Sequence, residues 1–118
     1  MANPDFYRGT TESFFCEVDG LDLTDYTCYL SIGSKAGKPY FTMDNSQMTL
    51  DVDTSGEQPV SNLTFTATQE QTLACKAGKT NVQIRVIKDD DALATNWGEL
   101  VVGDIIKNGV ITDDYDTD

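Results

Sequence analysis

The sequence of 118 residues contains no histidine. This absence excludes the Ser-His-Asp and Cys-His catalytic arrangements and removes the imidazole ligands of most catalytic zinc and iron sites. Cysteine is scarce as well, because Cys16, Cys28 and Cys75 are an odd number with no C-x-x-C pair. They predict neither a disulfide framework nor a zinc knuckle, and a reducing compartment fits them best.

Basic residues are few, with eight against twenty acids and a formal net charge of −12. Such a charge repels phosphate backbones and anionic headgroups, so we expect no binding to nucleic acid or to a membrane surface. No apolar run approaches the ~18 residues of a membrane span, and no basic-plus-apolar signal opens the chain. We therefore expect synthesis in a cytoplasm and no secretion by a signal peptide. The C-terminal DDYDTD predicts an acidic, solvated tail at 113–118 after a single domain at 1–112.

Alternation of apolar and polar residues dominates the rest of the chain. In residues 14–18, for example, Phe14, Cys16 and Val18 share one face of a strand. This period of two is typical of antiparallel strands with one face in water. The same pattern predicts four further inward-facing sets: Cys28, Leu30 and Ile32; Met48, Leu50 and Val52; Leu63, Phe65 and Ala67; and Val82, Ile84 and Val86.

One stretch differs, because it carries a helix-start signal between two predicted strands. Thr68 can cap a short helical turn with Gln71 at its third position, and Gly78 can end that turn with a positive φ. Six to eight short strands, frequent turn signals and almost no helix predict an all-β fold, either a β-sandwich or a small barrel. At this length we favour an immunoglobulin-like antiparallel β-sandwich with one short helical turn. The cysteine spacing does not support the disulfide of an antibody domain.

Three consecutive aspartates, Asp89, Asp90 and Asp91, interrupt the last alternating segment. A calcium loop usually alternates its ligands as D-x-D-x-D-G, whereas consecutive side chains on an extended chain diverge. We interpret the three as the tip of a β-hairpin, with a weak surface ion as the less favoured alternative. The sequence indicates no cofactor and no catalytic residue, since twenty acids offer many carboxylate pairs and no pattern selects one.

Several short segments together resemble a known family. These segments are FYRGTT, LDLTDYTCYLSI, LTFTATQEQTLACKAG, VQIRVIKDDDALAT and VVGDIIKNGVI. They are similar to small proteins of phages and prophages of Gram-positive gut bacteria, and to the N-terminal immunoglobulin-like domain of phage baseplate upper proteins. The resemblance implies a module that docks into a virion without an active site. It does not imply host attachment, because the shaft and receptor-binding parts of the baseplate proteins have no counterpart here.

The leading hypothesis is therefore a non-enzymatic structural or interaction protein of a phage tail, baseplate or capsid surface. Its partners would be other virion proteins or further copies of itself, and it would move from the host cytoplasm into the virion. The candidate interface residues are Phe15, Tyr29 and Ile87, which are apolar and predicted to face outward. The alternative is a carbohydrate-binding or calcium-dependent adhesion module, with Tyr26, Tyr29, Tyr40 and Trp97 as a candidate aromatic patch. For each of these four residues, core packing or cross-strand stacking is the favoured role. An enzyme is the least favoured class.

Overall fold

A computed structural model of the chain describes residues 4–113, apart from the side chains of Asn96 and Trp97 within the last strand. The acidic segment predicted at 113–118 thus lies outside the described residues beyond its first residue. Within the described part, one α-helix (α1) is Gln69–Leu73 and a 3₁₀ turn is Asn45–Gln47. The strands are β1 (Phe6–Tyr7), β2 (Glu12–Asp19), β3 (Thr27–Ser34), β4 (Pro39–Met43), β5 (Met48–Asp53), β6 (Val60–Ala67), β7 (Gly78–Lys88) and β8 (Asp91–Gly103).

The strands form two sheets that share no strand. One sheet has the order β1-β8-β7-β3-β4, and the other has the order β2-β6-β5. This is an immunoglobulin-type arrangement, in which the chain passes from one sheet to the other after β1, β2, β4 and β6. The predicted all-β sandwich is confirmed, with one exception to its antiparallel pairing. Strand β1 runs parallel to β8, where Phe6 lies opposite Val102 and Tyr7 opposite Gly103.

The core lies between the two sheets and is built from the predicted inward-facing residues. Alternation places them there because successive side chains of a strand point to opposite faces. Leu30 and Ile84 lie opposite each other in the larger sheet, and Phe65 lies opposite Phe14 in the smaller one. All four are nearly inaccessible to water. Residues near the sheet edges, such as Cys16, are only half-buried.

The predicted helical turn is present with its predicted cap. The Thr68 hydroxyl accepts a hydrogen bond from the Gln71 N–H, and the Gln71 side chain accepts one from the Thr68 N–H, which is a complete capping box. The expectation for Gly78 is wrong, because the helix ends at Ala74 in an ordinary right-handed conformation. Gly78 has the expected positive φ, +119°, but it opens β7 instead.

The segment between β1 and β2 is held against this helix by side-chain hydrogen bonds, which together we call the lock on α1. The Arg8 guanidinium donates to the carbonyls of Leu73, at 2.9 Å, and Cys75, at 3.1 Å, which satisfies acceptors that a helix end leaves free. The buried Thr72 hydroxyl accepts from the Gly9 N–H, at 2.9 Å, and donates to the Thr10 carbonyl, at 2.8 Å. The segment RGT is thus held by backbone and side-chain hydrogen bonds.

The chain after β8 returns to the same helix. Strand β8 ends at Gly103. From there the chain reaches α1, where the Gln69 amide exchanges two hydrogen bonds with the backbone of Ile111, at 2.8 and 3.0 Å. Among residues 4–113, no helix has the length and apolar character needed to cross a membrane.

Replacing Thr72 by valine tests the lock on α1. The change keeps the shape of the side chain but leaves the Gly9 N–H and the Thr10 carbonyl without their partner. We expect the free energy of unfolding to fall by about 2 kcal/mol, the usual cost of unsatisfied buried polar groups. Chemical denaturation measures it, with Thr49→Val on the exposed face of β5 as the control. Equal, small effects in both variants would contradict the lock.

Candidate functional site

The three aspartates lie at the tip of a hairpin, as predicted. Lys88 pairs with Asp91, so Asp89 and Asp90 form a two-residue turn between β7 and β8. Asp89 has a φ of +54°, in the left-handed region that aspartate tolerates better than most residues. The side chains of all three are exposed. In the described part of the chain, no group of three or more acidic or cysteine side chains is placed to hold a metal ion.

The candidate interface residues lie on opposite sides of the molecule. Phe15 stands on the outer face of the smaller sheet and is 69% exposed. Tyr29 and Ile87 stand on the outer face of the larger sheet, and both are 39% exposed. They lie on neighbouring strands, since Ile87 pairs with Thr27, two residues before Tyr29. The structure therefore brings Tyr29 and Ile87 together, but not Phe15.

A long open edge of β8 was not predicted from the sequence. Strand β1 pairs with Val102 and Gly103, and no other strand of residues 4–113 pairs with this side of β8. Residues 91–99 therefore present a bare strand edge. Such an edge carries unpaired N–H and C=O groups and is a ready template for another strand.

The backbone groups on this edge follow from the alternation of hydrogen bonding in an antiparallel pair. Lys88 and Asp91 close the two-residue hairpin, so their backbone groups face each other. The next residues that point away from β7 are then Ala92, Ala94 and Asn96. Their N–H and C=O groups aim out of the sheet at the open edge.

A second open edge, that of β2, lies on the same flank of the sandwich. Strand β2 is an edge strand of the smaller sheet. The Phe6 ring of β1 packs edge-on against Phe14 of β2, with ring centres 5.3 Å apart. A shallow groove of about 190 Å³ lies beside β1, lined by Asp5 and Phe6, by residues 12–15 of β2 and by Leu100 of β8. We call the two edges and this groove the open flank.

Apolar side chains are incompletely covered at the open flank. Leu93 lies opposite the buried Val86 and so belongs to the inner face of its sheet, yet it is 44% exposed. On the inner face of β2, Cys16 and Val18 are half-buried. The core is therefore closed less completely here than at its centre.

Strand β2 of the open flank carries three acidic side chains, Glu12, Glu17 and Asp19. Glu17 and Asp19 project from the same outer face of β2. A hydrogen bond to Asp19 and the negative charge of that residue raise the pKa of Glu17 above its ordinary value. Burial raises the pKa of Glu12 at the start of the strand. Each of the three carboxylates would gain from a nearby positive charge.

A polar depression of about 550 Å³ lies on the outer face of the larger sheet. Two β-bulges border the depression. One follows Ile32 in the β3–β4 ladder, and the other follows Val82 in the β7–β8 ladder. The Lys35 ammonium pairs with Glu99 at the rim and donates to the Asn81 amide oxygen at 3.3 Å. The hydrogen bond and charge of Lys35 lower the pKa of Glu99.

The three tyrosines of the predicted patch differ in their exposure to solvent. Tyr29 is exposed on the same sheet face as the depression, whereas Tyr40 is half-buried at the core margin. Tyr26 is half-buried, and the Lys88 ammonium lies 5.7 Å from the centre of its ring. The side chain of Trp97 lies outside the described part of the structure.

The cysteines are free thiols in apolar surroundings. Burial raises the pKa of Cys28 and of Cys75 to about 11. Burial, and then the charge of Glu17, raise the pKa of Cys16. The thiolate is the nucleophilic form of cysteine, so all three are poor nucleophiles at neutral pH.

Comparison with known proteins identifies no relative. The sequence matches no protein-family model, and no characterised protein or solved structure matches it significantly. The open flank and the depression therefore have to be interpreted from their own residues.

Calcium should leave the stability of the protein unchanged. Consecutive aspartates at a two-residue turn cannot converge on one ion, so millimolar Ca²⁺ should shift the melting temperature by no more than about one degree, the shift of a ligand that does not bind. Differential scanning calorimetry with and without calcium measures this, with magnesium as the control. A rise of several degrees that disappears in an Asp89→Asn, Asp90→Asn, Asp91→Asn variant would instead make these residues ligands.

Proposed function

We propose that this protein is a non-enzymatic structural or interaction module of a phage tail, baseplate or capsid surface. The observation that carries the proposal is the open flank, where β8 and β2 are both edge strands and β1 covers only the end of β8. Extended strand edges bind other proteins through main-chain hydrogen bonds. The assignment to a phage rests on the resemblance to the immunoglobulin-like domain of baseplate upper proteins.

The outer faces of both sheets add apolar contact surface to this flank. Phe15 lies on one face, and Tyr29 with Ile87 lies on the other, so the flank stands between the candidate interface residues. A partner strand at the edge could extend onto either face. The partners are other virion proteins or further copies of this chain in a symmetric assembly.

The proposed cycle begins in the host cytoplasm, where the chain is made, and ends in the assembled particle. The free thiols Cys16, Cys28 and Cys75 are compatible with such a reducing compartment. The charge of −12 keeps free subunits apart and soluble before assembly.

Mass spectrometry of purified phage particles tests the proposal. Particles are induced from the bacterium that carries the gene and separated on a density gradient. We expect peptides of this chain to sediment with the major capsid protein, at a constant ratio across the particle peak. A chain found exclusively in the soluble cell fraction, with no peptide in the particle peak, would contradict a virion role.

A second candidate function, carbohydrate binding, is favoured by the polar depression. Its rim combines an amide, an ammonium and a carboxylate whose charges balance, a set suited to the hydroxyl groups of a neutral sugar. Small ligand sites of this kind combine a concave shape with a few convergent polar groups.

Titration with neutral oligosaccharides, followed by NMR, tests this second function. If it holds, amide shifts should cluster around the depression, and Asn81→Ala should weaken binding by about tenfold through the loss of one hydrogen-bonding side chain. Asn62→Ala, on the exposed face of the smaller sheet, is the matched control. The absence of amide shifts with every sugar of a broad panel would contradict the carbohydrate-binding hypothesis.

A further inference from the structure

Most of the open edge of β8 lacks the features that usually prevent strand pairing. Natural edge strands carry lysine or proline, or bend away at a bulge. Here the bulge is confined to position 97 of β8, which has no partner between Val82 and Gln83 of β7. Between Asp91 and that bulge, the sequence ALATN has no charged residue and no proline. Ala92 and Ala94, whose backbone groups point out of the edge, have side chains too small to hinder a neighbouring strand.

The surroundings of this neutral edge are strongly acidic. At one end lies the hairpin tip with Asp89, Asp90 and Asp91, all exposed. The open flank also includes β2, where Glu17 and Asp19 project from the outer face of the smaller sheet. A hydrogen bond to Asp19 and the charge of that residue raise the pKa of Glu17. Among the nearby cations, Lys88 lies over the ring of Tyr26 and Lys35 pairs with Glu99. Arg85 of β7, opposite Ala94, is exposed on the outer face of the larger sheet.

We propose that the β8 edge of the open flank binds an extended segment of a partner protein, and that this segment carries basic residues beside a short apolar, strand-forming centre. The proposal deepens the function proposed above and rests on it. The main chain of the segment pairs with Ala92, Ala94 and Asn96. Its basic side chains face the hairpin tip and β2, and its apolar side chains cover Leu93.

Charge decides between this occupant and a second copy of the chain. Pairing two copies at this edge would bring two acidic hairpins and two acidic β2 strands onto one interface. Like charges placed together across an interface cost several kcal/mol, whereas opposite charges steer association and suppress wrong partners. A basic segment would relieve the repulsion between Glu17 and Asp19, and a second copy would increase it.

Peptide binding tests the inference directly. The probe is a short fluorescent peptide that alternates valine and threonine and has two lysines at each end, and its matched control has glutamates in place of the lysines. Fluorescence anisotropy should show binding of the lysine peptide at low salt, at least about tenfold tighter than the glutamate peptide. Added NaCl should weaken the binding, because the charges are exposed to solvent.

Variants of the edge separate main-chain pairing from simple charge attraction. Ala94→Pro removes the outward N–H and spares the hydrogen bonds between β8 and β7. It should weaken binding of the lysine peptide by about tenfold, because a main-chain hydrogen bond to the peptide and the contacts beside it are lost. Ala94→Val keeps the N–H and should bind like the original chain. Should Ala94→Pro fail to fold, Ala94→Lys leaves the backbone intact and should weaken the same peptide by placing a like charge beside it.

Variants of the acids test the charge requirement. The double variant Glu17→Gln, Asp19→Asn should weaken binding of the lysine peptide by about fivefold, the size of effect that exposed charge pairs usually have. It should also make the affinity less dependent on salt concentration. The matched control removes two acids elsewhere, by Asp51→Asn on β5 and Glu70→Gln on α1, and should change affinity by less than about twofold.

Three outcomes would overturn the inference: no binding of the lysine peptide, equal binding of both peptides, or binding that Ala94→Pro and Ala94→Lys leave unchanged. The function proposed above is tested separately, by whether the chain is found in purified particles. If the chain is present in particles but does not bind the lysine peptide, the structural role is supported and the basic partner segment is rejected. Self-association of the chain at the β8 edge, seen by light scattering and abolished by Ala94→Pro, would replace that partner with a second copy.

Discussion

The two sheets share no hydrogen-bonded strand, so side-chain packing between them is the constraint on which the fold depends. Phe65 and Leu30, from opposite sheets, are completely buried at its centre. Hydrogen bonds at the crossings between sheets reinforce this packing. The buried Ser61 hydroxyl of β6 accepts from the Leu23 N–H, at 3.0 Å, and donates to the Leu21 carbonyl, at 2.6 Å. The chain segment that leaves β2 for β3 is thereby fixed.

The same constraint explains why one flank stays open. Inter-sheet packing needs overlap of the sheet faces, and it does not need every edge to be paired. The 3₁₀ turn connects β4 to β5 at the other side of the sandwich, where Asn45 accepts from the Cys28 N–H at 2.6 Å. On the β2 and β8 side, the two-residue strand β1 is what covers the edge. A charge of −12 protects such an edge from indiscriminate pairing, because approaching copies repel each other.

Local signals in the sequence were sufficient for the individual elements. The inward-facing sets of five strands, the capping box of Thr68 and Gln71 and the hairpin at Asp89 all depend on residues close together in the chain. The lock between Arg8 and α1 joins residues more than sixty positions apart, and no short-range pattern indicates it. The parallel pairing of β1 with β8 is similarly remote, as Phe6 and Val102 show. The sequence did contain one unused signal for the open edge, the uncharged run ALATNWG in an otherwise acidic chain.

The sequence by itself determined the class of fold, because period-two alternation assigns each side chain to the core or to water and leaves a sandwich as the natural way to bury the apolar faces. It also limited the chemistry, since a chain without histidine cannot supply an imidazole as a base, a nucleophile or a metal ligand. Tertiary structure alone decided which strands became edges, and that Phe15 lies on the opposite face from Tyr29 and Ile87. The physical reason is that strand order is set by long-range packing, in which each strand meets partners distant in the chain. The identity of an edge is therefore a property of the assembled sheets and not of any one strand.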